Sequence, residues 1–340
     1  MKILKIVGIV ISAIIALIII LGIIAPGDYV AERKMTIDAP KELVFHHVQY
    51  WRNWKNWSPW AEKDPSMKMT IFGTDGDVGS GYSWVGDPNI TGSGEMKTTG
   101  LKANNELLYE LHFIEPYESR ADGWMRVKTV DGNKTETAWG FQGEMPFPFN
   151  ITLLFVSMEE MMTPDFDRGL TLLKELSEKE FRMIKDYNIE EVDYPSTIFA
   201  AVRQETEIVR LKEFFSQSYA SITSVIGMNR VKTKGMPCAL YYHWDEQQGK
   251  TDVAAAIPVN RKFESAATSI IEIPSKKAYK VDHYGDYEGL GGAHTALTIY
   301  FEQNGLEMTA PIIEEYATDP GSEPDPSRWK TVIYYFAEKL

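Results

Sequence analysis

The hydrophobic pattern of the chain changes period along its length. From Ile3 to Ile24 it is continuous, broken only by Lys5, Ser12 and two glycines. A helix needs about 20 apolar residues to cross roughly 30 Å of hydrocarbon, and residues 6–25 supply that length. Tyr29 to Ile37 then alternates and ends in Asp38-Ala39-Pro40, with Val44, Val48, Trp51 and Trp54 following at helical spacing. Short alternating segments come next, at 68–72, 81–85, 94–99, 107–113, 123–130 and 135–141. Their regular spacing between turn residues predicts an antiparallel meander, and Asp131-Gly132-Asn133 is a hairpin signal. Phe166, Leu170, Leu173, Leu176 and Phe181 place one apolar face on a helix through residue 184.

The second half repeats a unit. Residues 189–208 predict a strand. Leu211, Phe214, Phe215, Tyr219, Ile222 and Ile226 predict a helix that Gly227 can end, and 239–244 and 253–259 predict two strands. The order recurs as a strand in 269–284, a helix in 287–303, and strands at 311–316 and 330–337. Strand-helix-strand-strand twice predicts two half-units around a pseudo-two-fold groove. The expected organisation is residues 1–27 as a transmembrane anchor, 28–186 as a first soluble domain and 187–340 as a second, in an α+β fold class.

Charge sets the expected surroundings. Lys2 and Lys5 precede the apolar run, while Asp28, Glu32, Arg33 and Lys34 behind it nearly cancel. The positive-inside rule then predicts a single-pass protein with a cytoplasmic N-terminus and extracytoplasmic soluble domains. A cleaved signal peptide is the competing reading. It usually has a shorter apolar core and an A-x-A-like site, whereas this run is longer and ends Ile-Ile-Ala-Pro26-Gly-Asp. A net charge of −13 with no basic run after residue 34 argues against a nucleic-acid partner. Cys238 is the one cysteine, which excludes an internal disulfide and a cysteine-based zinc site. His46 and His47 are adjacent, so they lack the i, i+4 spacing of a helical metal pair; no metal and no cofactor are expected. His112 alternates onto the face opposite Leu111 and Phe113, as an exposed strand histidine does.

Two resemblances follow from ordered motifs. The first half carries Ile37-Asp38-Ala39-Pro40, Val44-Phe45, Trp51-x-x-Trp54-x-x-Trp57-Ser58-Pro59-Trp60, Asp64-Pro65, Gly79-x-Gly81-x-x-Trp84, Gly92-x-Gly94 and Thr135-x-Thr137-x-Trp139. In that order they resemble the SRPBCC family (START-like, polyketide-cyclase type). The resemblance implies a helix-grip fold, a curved sheet holding a long helix over a cavity. Trp84, Tyr109, Phe113, Trp139 and Phe141 are the candidate cavity rings. Each could equally fill a core, because aromatic rings bury large area in either role.

The second half carries Gly235-x-Pro237-x-x-x-Tyr241-Tyr242, residues 252–259, His283-Tyr284-Gly285-x-Tyr287-x-x-Leu290 and Glu302-x-Asn304-Gly305-Leu306. It continues with Pro311-x-x-Glu314-x-Tyr316-x-x-Asp319-Pro320 and Trp329-x-Thr331-x-Ile333-Tyr334. This run resembles the GyrI-like effector-binding family, related to the ligand domains of AraC- and MerR-type regulators and to SOUL proteins. The resemblance implies a duplicated βαββ domain with an acidic residue, here Glu314, at the floor of an aromatic groove. No helix-turn-helix module is visible in the sequence.

Glu314 and Tyr316 share a strand face, since side chains repeat every two residues. A carboxylate among rings is costly without a partner, and a lipophilic cation supplies one while its own rings stack on the walls. Tyr242, Trp244, Tyr284, Tyr287 and Trp329 are the candidate walls. Two alternatives stay open for the carboxylate: that it meets an internal arginine, or that Glu315 points inward and Glu314 is solvated. Three functions remain in view. The favoured one is a membrane-anchored binder of small lipophilic or amphipathic molecules, cationic ones included. The second is a hydrolase in which Glu314, helped by Tyr316 and His283, activates water. The third is a membrane-bound scaffold with vestigial pockets. No Gly-x-Ser-x-Gly elbow, phosphate-loop lysine or Cys–His signal supports other catalysis, so a binder is favoured over an enzyme. Protein partners and oligomeric state are not written in the chain.

Overall fold

The computed structural model describes residues 2–318 and 323–339, so Asp319 and Pro320 lie outside the described residues. The chain divides into two compact units, residues 1–181 and 182–340, in a mixed α+β fold with one antiparallel sheet in each.

The first unit begins with the apolar helix α1 (Lys2–Ile24). Its stretch Lys5–Ile24 has a mean hydropathy of 3.2 and is almost entirely exposed; among the described residues it alone is long and apolar enough to cross a membrane. Strand β1 (Asp28–Ile37) leads to three short helices, α2 (Lys41–Gln49), α3 (Trp51–Trp54) and α4 (Pro59–Lys63). Val44, Val48, Trp51 and Trp54 keep helical spacing, and the backbone between them is extended at Tyr50 (φ −94°, ψ 116°), which separates α2 from α3. Asp75 explains the break: its carboxylate accepts from the amides of Trp51 (2.8 Å) and Arg52 (3.3 Å), capping α3 from a distant loop.

Six strands follow: β2 (Lys68–Phe72), β3 (Gly81–Val85), β4 (Ser93–Lys102), β5 (Glu106–Glu115), β6 (Ser119–Asp131) and β7 (Lys134–Glu144). The sheet order is β1-β7-β6-β5-β4-β3-β2, so the meander is closed on its last strand by the first. The β6–β7 turn falls at Asp131-Gly132-Asn133, with Gly132 in the left-handed region (φ +50°) that glycine tolerates. Helix α5 (Met158–Ile184) starts earlier than its apolar face predicts, because its first turn is capped by Ser157, whose Oγ accepts from the Glu160 amide at 3.1 Å. Phe166 on α5 stacks on Trp139 of β7 at 4.7 Å, and a Cβ at Gly169 would strike the Trp139 ring. The helix therefore packs closely on that strand.

The second unit contains β8 (Glu190–Tyr194), β9 (Thr197–Glu207), α6 (Leu211–Met228), β10 (Cys238–Asp245) and β11 (Lys250–Val259). It continues with β12 (Ser269–Ile273), β13 (Lys276–Tyr284), α7 (Leu290–Asn304), β14 (Leu306–Tyr316) and β15 (Lys330–Lys339). The stretches 189–208 and 269–284, each predicted as one strand, are two strands apiece, broken at Pro195 and Pro274, where the ladder loses a donor. The pieces pair apart: β8 with β13, and β12 with β9. The resulting order, β12-β9-β11-β10-β14-β15-β13-β8, mirrors itself about the β10–β14 junction. Helix α6 runs through Gly227 to Met228, whereas α7 does end on a left-handed glycine, Gly305 (φ +61°).

Two helices cover one face of this sheet. Phe214, Ile222 and Ile226 of α6 pack on Ala200, Ala239, Val253 and Ala255. Leu290, Leu297 and Phe301 of α7 pack on Tyr279, Val281, Ile333 and Tyr335. The other face curls into a half-barrel around Phe199, Leu240, Ala254, Ile313 and Phe336, with Tyr194 set edge-on to Phe336 at 5.3 Å.

Candidate functional site

Strand β14 lies at the junction of the mirrored halves, and its alternation decides which acid points where. Ile313 belongs to the half-barrel face and Ile312 to the helix-covered face. Glu314 therefore faces the helices, is 6% exposed, and stands opposite Ala239 of β10. Glu315 faces the other way and is half-buried; burial pushes its carboxyl up, with Lys330 opposing.

The carboxylate of Glu314 is held by two side chains. Tyr316 Oη donates to Oε2 at 2.8 Å, and His294 Nε2 lies 3.0 Å from Oε1. On its far side His294 Nδ1 lies 3.1 Å from Tyr335 Oη. The charged-group partner is thus an imidazole and not an internal arginine. His294 sits in phase with Leu290, Leu297 and Phe301 on α7, the spacing of a sheet-facing residue, and that phase was the signal that could have found it. His283, expected as the helper, serves elsewhere: it is buried, 2.8 Å from Tyr187 Oη and 3.1 Å from the Asp286 carbonyl.

Four tyrosines lie near the carboxylate. Burial, and then the nearby Glu314 charge, push the phenols of Tyr316 and Tyr241 well above their ordinary value; Tyr219 is raised chiefly by burial too. Burial, with Glu314 adding, pushes Tyr335 up to about 12 against a lowering hydrogen bond to Thr298. All four remain protonated O–H donors at neutral pH. The Tyr219 hydroxyl donates to the Cys238 carbonyl at 2.8 Å, fixing its ring against Phe215, which stacks on it at 5.7 Å.

The predicted walls divide. Tyr287 packs against Tyr316 at 5.4 Å and against Trp329 at 5.2 Å, so these three rings form one cluster. Trp329 is held there by donating Nε1–H to the Glu323 carbonyl at 2.7 Å. Trp244 meets Tyr241 at 5.7 Å although the two differ by three positions; a bulge between Tyr241 and His243 brings both onto one face. Tyr242 instead packs with the half-barrel face, under the Arg203 guanidinium at 3.4 Å. Tyr284 is 61% exposed and paired with Lys330 on β15, away from the carboxylate. An open cleft of about 420 Å³ between β9 and α6, lined by Gln204, Phe214, Gln217 and Ser218 among others, contains none of these groups.

In the first unit Trp84, Tyr109, Trp139 and Phe141 are buried and Phe113 is half-buried. Trp84 meets Phe113 edge-on at 5.8 Å. Trp54 stands edge-on to both Tyr109 and Trp139 at 5.8 Å, and Trp139 donates its indole N–H to Tyr109 Oη at 2.9 Å. The buried indoles of Trp51, Trp54 and Trp57 likewise donate, to Thr98 Oγ1, the Val48 carbonyl and the His47 carbonyl.

Residues 187–335 match the family model described as GyrI-like small molecule binding domain, and the second unit is a GyrI-like domain. No curated relative matches the chain. Among solved structures, the C-terminal domain of EcmrR is 21% identical, with 46% of this chain and 99% of that one covered and a TM-score of 0.40. SAV2435 bound to tetraphenylphosphonium is 14% identical over 45% and 94% of the two chains, with a TM-score of 0.34. A hydrolase from Listeria innocua is 11% identical over 47% and 97%, also with a TM-score of 0.34.

Proposed function

We propose that the protein is a membrane-anchored binder that captures or senses small lipophilic molecules, with Glu314 as the floor of a site for cations. The observation that carries this reading is the carboxylate itself: buried beside Tyr219, Tyr241 and Tyr316, and held by a phenol and an imidazole rather than neutralised by a lysine or arginine. A delocalised cation supplies the missing charge, and its apolar groups lie against Tyr287, Trp329 and Trp244. On this reading α1 spans the bilayer with Lys2 and Lys5 on the cytoplasmic side. The first unit is then an SRPBCC-type helix-grip domain whose rings enclose or fill a site for an apolar molecule, and a small molecule is the partner of both units, without nucleic acid.

The test is a thermal-shift screen of residues 28–340 against lipophilic cations, fatty acids and isoprenoid-like compounds. Ligands that bind only the folded state raise the melting temperature by mass action. A rise with cations that disappears in Glu314→Gln supports the assignment; a rise retained in that variant moves the site elsewhere.

The Tyr335–His294–Glu314–Tyr316 chain favours a second reading, a hydrolase. A carboxylate joined to an imidazole and a phenol can take a proton from water while the phenol donates to a developing oxyanion. Turnover of electrophilic esters or strained rings that is abolished by Glu314→Gln would replace binding by catalysis at the same residues.

A further inference from the structure

The segment between β7 and α5 is apolar where it is most exposed. Phe149 is 68% exposed and Phe155 78% exposed, Phe147 and Val156 are also open to solvent, and so is Met161 in the first turn of α5. A run of large exposed apolar side chains of this kind marks an interaction surface. Its position says with what.

The segment is fastened to the end of α1. Asn150 is buried and donates Nδ2–H to the Gly22 carbonyl at 2.8 Å and to the Ala25 carbonyl at 3.4 Å. Gly22 is in the last turn of α1 and Ala25 follows it directly, so no residue further along the helix can satisfy these carbonyls. The Phe147 ring lies so close over Gly22 that a Cβ there would strike it, which gives this glycine a packing role. Met145 donates its amide to the Gly27 carbonyl at 2.8 Å, closing the join. The segment is therefore held at the same height as the last turn of α1.

A second turn reaches the same end of the sheet. Tyr29 and Ala121 are both paired with Gly143, and β5 and β6 are joined beyond the Phe113–Ser119 pair. The tip of that hairpin carries Tyr117, which is 83% exposed. The opposite end of the sheet, at Ile37 and the Asp131–Lys134 turn, lies about 30 Å away by the rise of a ten-residue strand.

We propose that residues 147–156, with Tyr117, insert into the membrane interface beside α1 and hold the first unit upright on the bilayer. This rests on the reading of α1 as a membrane span. If α1 spans, its last turn lies at the hydrocarbon boundary, and the rings tied to it share that depth. Tyrosine is favoured at that level, and phenylalanine on the apolar face of segments that lie in the interface. Glu115, Glu118, Glu159 and Glu160 flank the apolar groups. The contact is therefore insertion into neutral lipid and not attraction to anionic headgroups.

The test uses the full chain in phosphatidylcholine vesicles, carrying a polarity-sensitive fluorophore at Phe155→Cys or, as the distant control, at Asn133→Cys. Cys238 is buried and does not compete for the label. Retention in the membrane after alkaline carbonate reads the anchor separately. The expected result is retention, with blue-shifted emission at position 155 that brominated acyl chains quench, and water-like, unquenched emission at 133. Adding anionic lipid is expected to leave the quenching unchanged. Retention with water-like emission at 155 overturns the insertion and leaves the anchor standing. Release by carbonate overturns both.

Discussion

His294 on α7 and Glu314 on β14 meet at 3.0 Å, and this contact ties a covering helix to the centre of the sheet. The pair is not isolated. Tyr316 and Tyr335 extend it at either end, so four side chains from two strands and one helix share one hydrogen-bonded chain. A network of this kind in a largely dehydrated place gains from being complete and loses disproportionately when one member is removed.

The first prediction concerns that loss. His294→Ala leaves a buried carboxylate short of a partner and is expected to destabilise the second unit by about 1–3 kcal/mol. Adding Glu314→Gln is expected to recover part of it, because the neutral amide tolerates burial better. A double-mutant cycle in urea checks the coupling; strict additivity would show that the two residues act independently.

The second prediction separates adjacent tyrosines. Tyr241 faces α6 and the carboxylate, while Tyr242 lies under Arg203 on the half-barrel face. Tyr241→Ala is expected to weaken a bound lipophilic cation by about 1–2 kcal/mol, the scale of a desolvated cation–π contact. Tyr242→Ala is expected to leave affinity unchanged. Calorimetric titration of both variants decides it, and the reverse order would place the ligand on the other face of the sheet.

The third prediction follows from the raised phenols of Tyr219, Tyr241 and Tyr316. A group whose folded pKa lies above its unfolded value adds stability below the unfolded pKa and loses it as pH rises. With an ordinary tyrosine value of 10.0, the second unit is expected to lose stability from about pH 10 upward. Absorbance near 295 nm followed alongside circular dichroism should show these phenols ionising only as the unit unfolds. Ionisation that precedes unfolding would contradict their placement.

The fourth prediction concerns acid. Asp64 accepts from Ser66 Oγ at 2.5 Å, Thr91 Oγ1 at 2.6 Å and the Asp87 amide at 2.8 Å, and these bonds hold its carboxyl down at about 2. The sign is opposite to that of the tyrosines: the contribution is complete above about pH 4 and is lost as pH falls through about 2. Melting temperatures between those values are expected to fall less steeply in Asp64→Asn than in the wild type. An unchanged slope would show that Asp64 does not anchor the β3–β4 turn to α4.

Much of this architecture was legible because period and punctuation agreed. The strands at 68–72 and 81–85 have the bounds their alternation implies, and the Asp131-Gly132-Asn133 turn falls where its residues require. Asp75 was not legible as a cap, since it reaches α3 from a separate loop. In the site, the alternation rule placed Glu314 and Tyr316 together; Tyr241, and not the expected wall Tyr242, shares the helix-covered face with the carboxylate, and the bulge beside it is a feature that period two does not register. His294 escaped notice because it stands among glycines and alanine at the start of α7, while His283 stood inside a conspicuous motif. Phase along the helix, and not the neighbouring letters, carried the information.

On the proposed function, Glu314 selects positive charge within an apolar, aromatic site. The most direct measurement compares tetraphenylphosphonium with tetraphenylborate, nearly the same shape with opposite charge, by calorimetric titration against wild type and Glu314→Gln. The wild type is expected to bind the phosphonium and not the borate, and the substitution to cost the phosphonium about 1–3 kcal/mol, the worth of a hydrogen-bonded charge. Equal binding of the two ions, or phosphonium binding that is unchanged in Glu314→Gln, would contradict it.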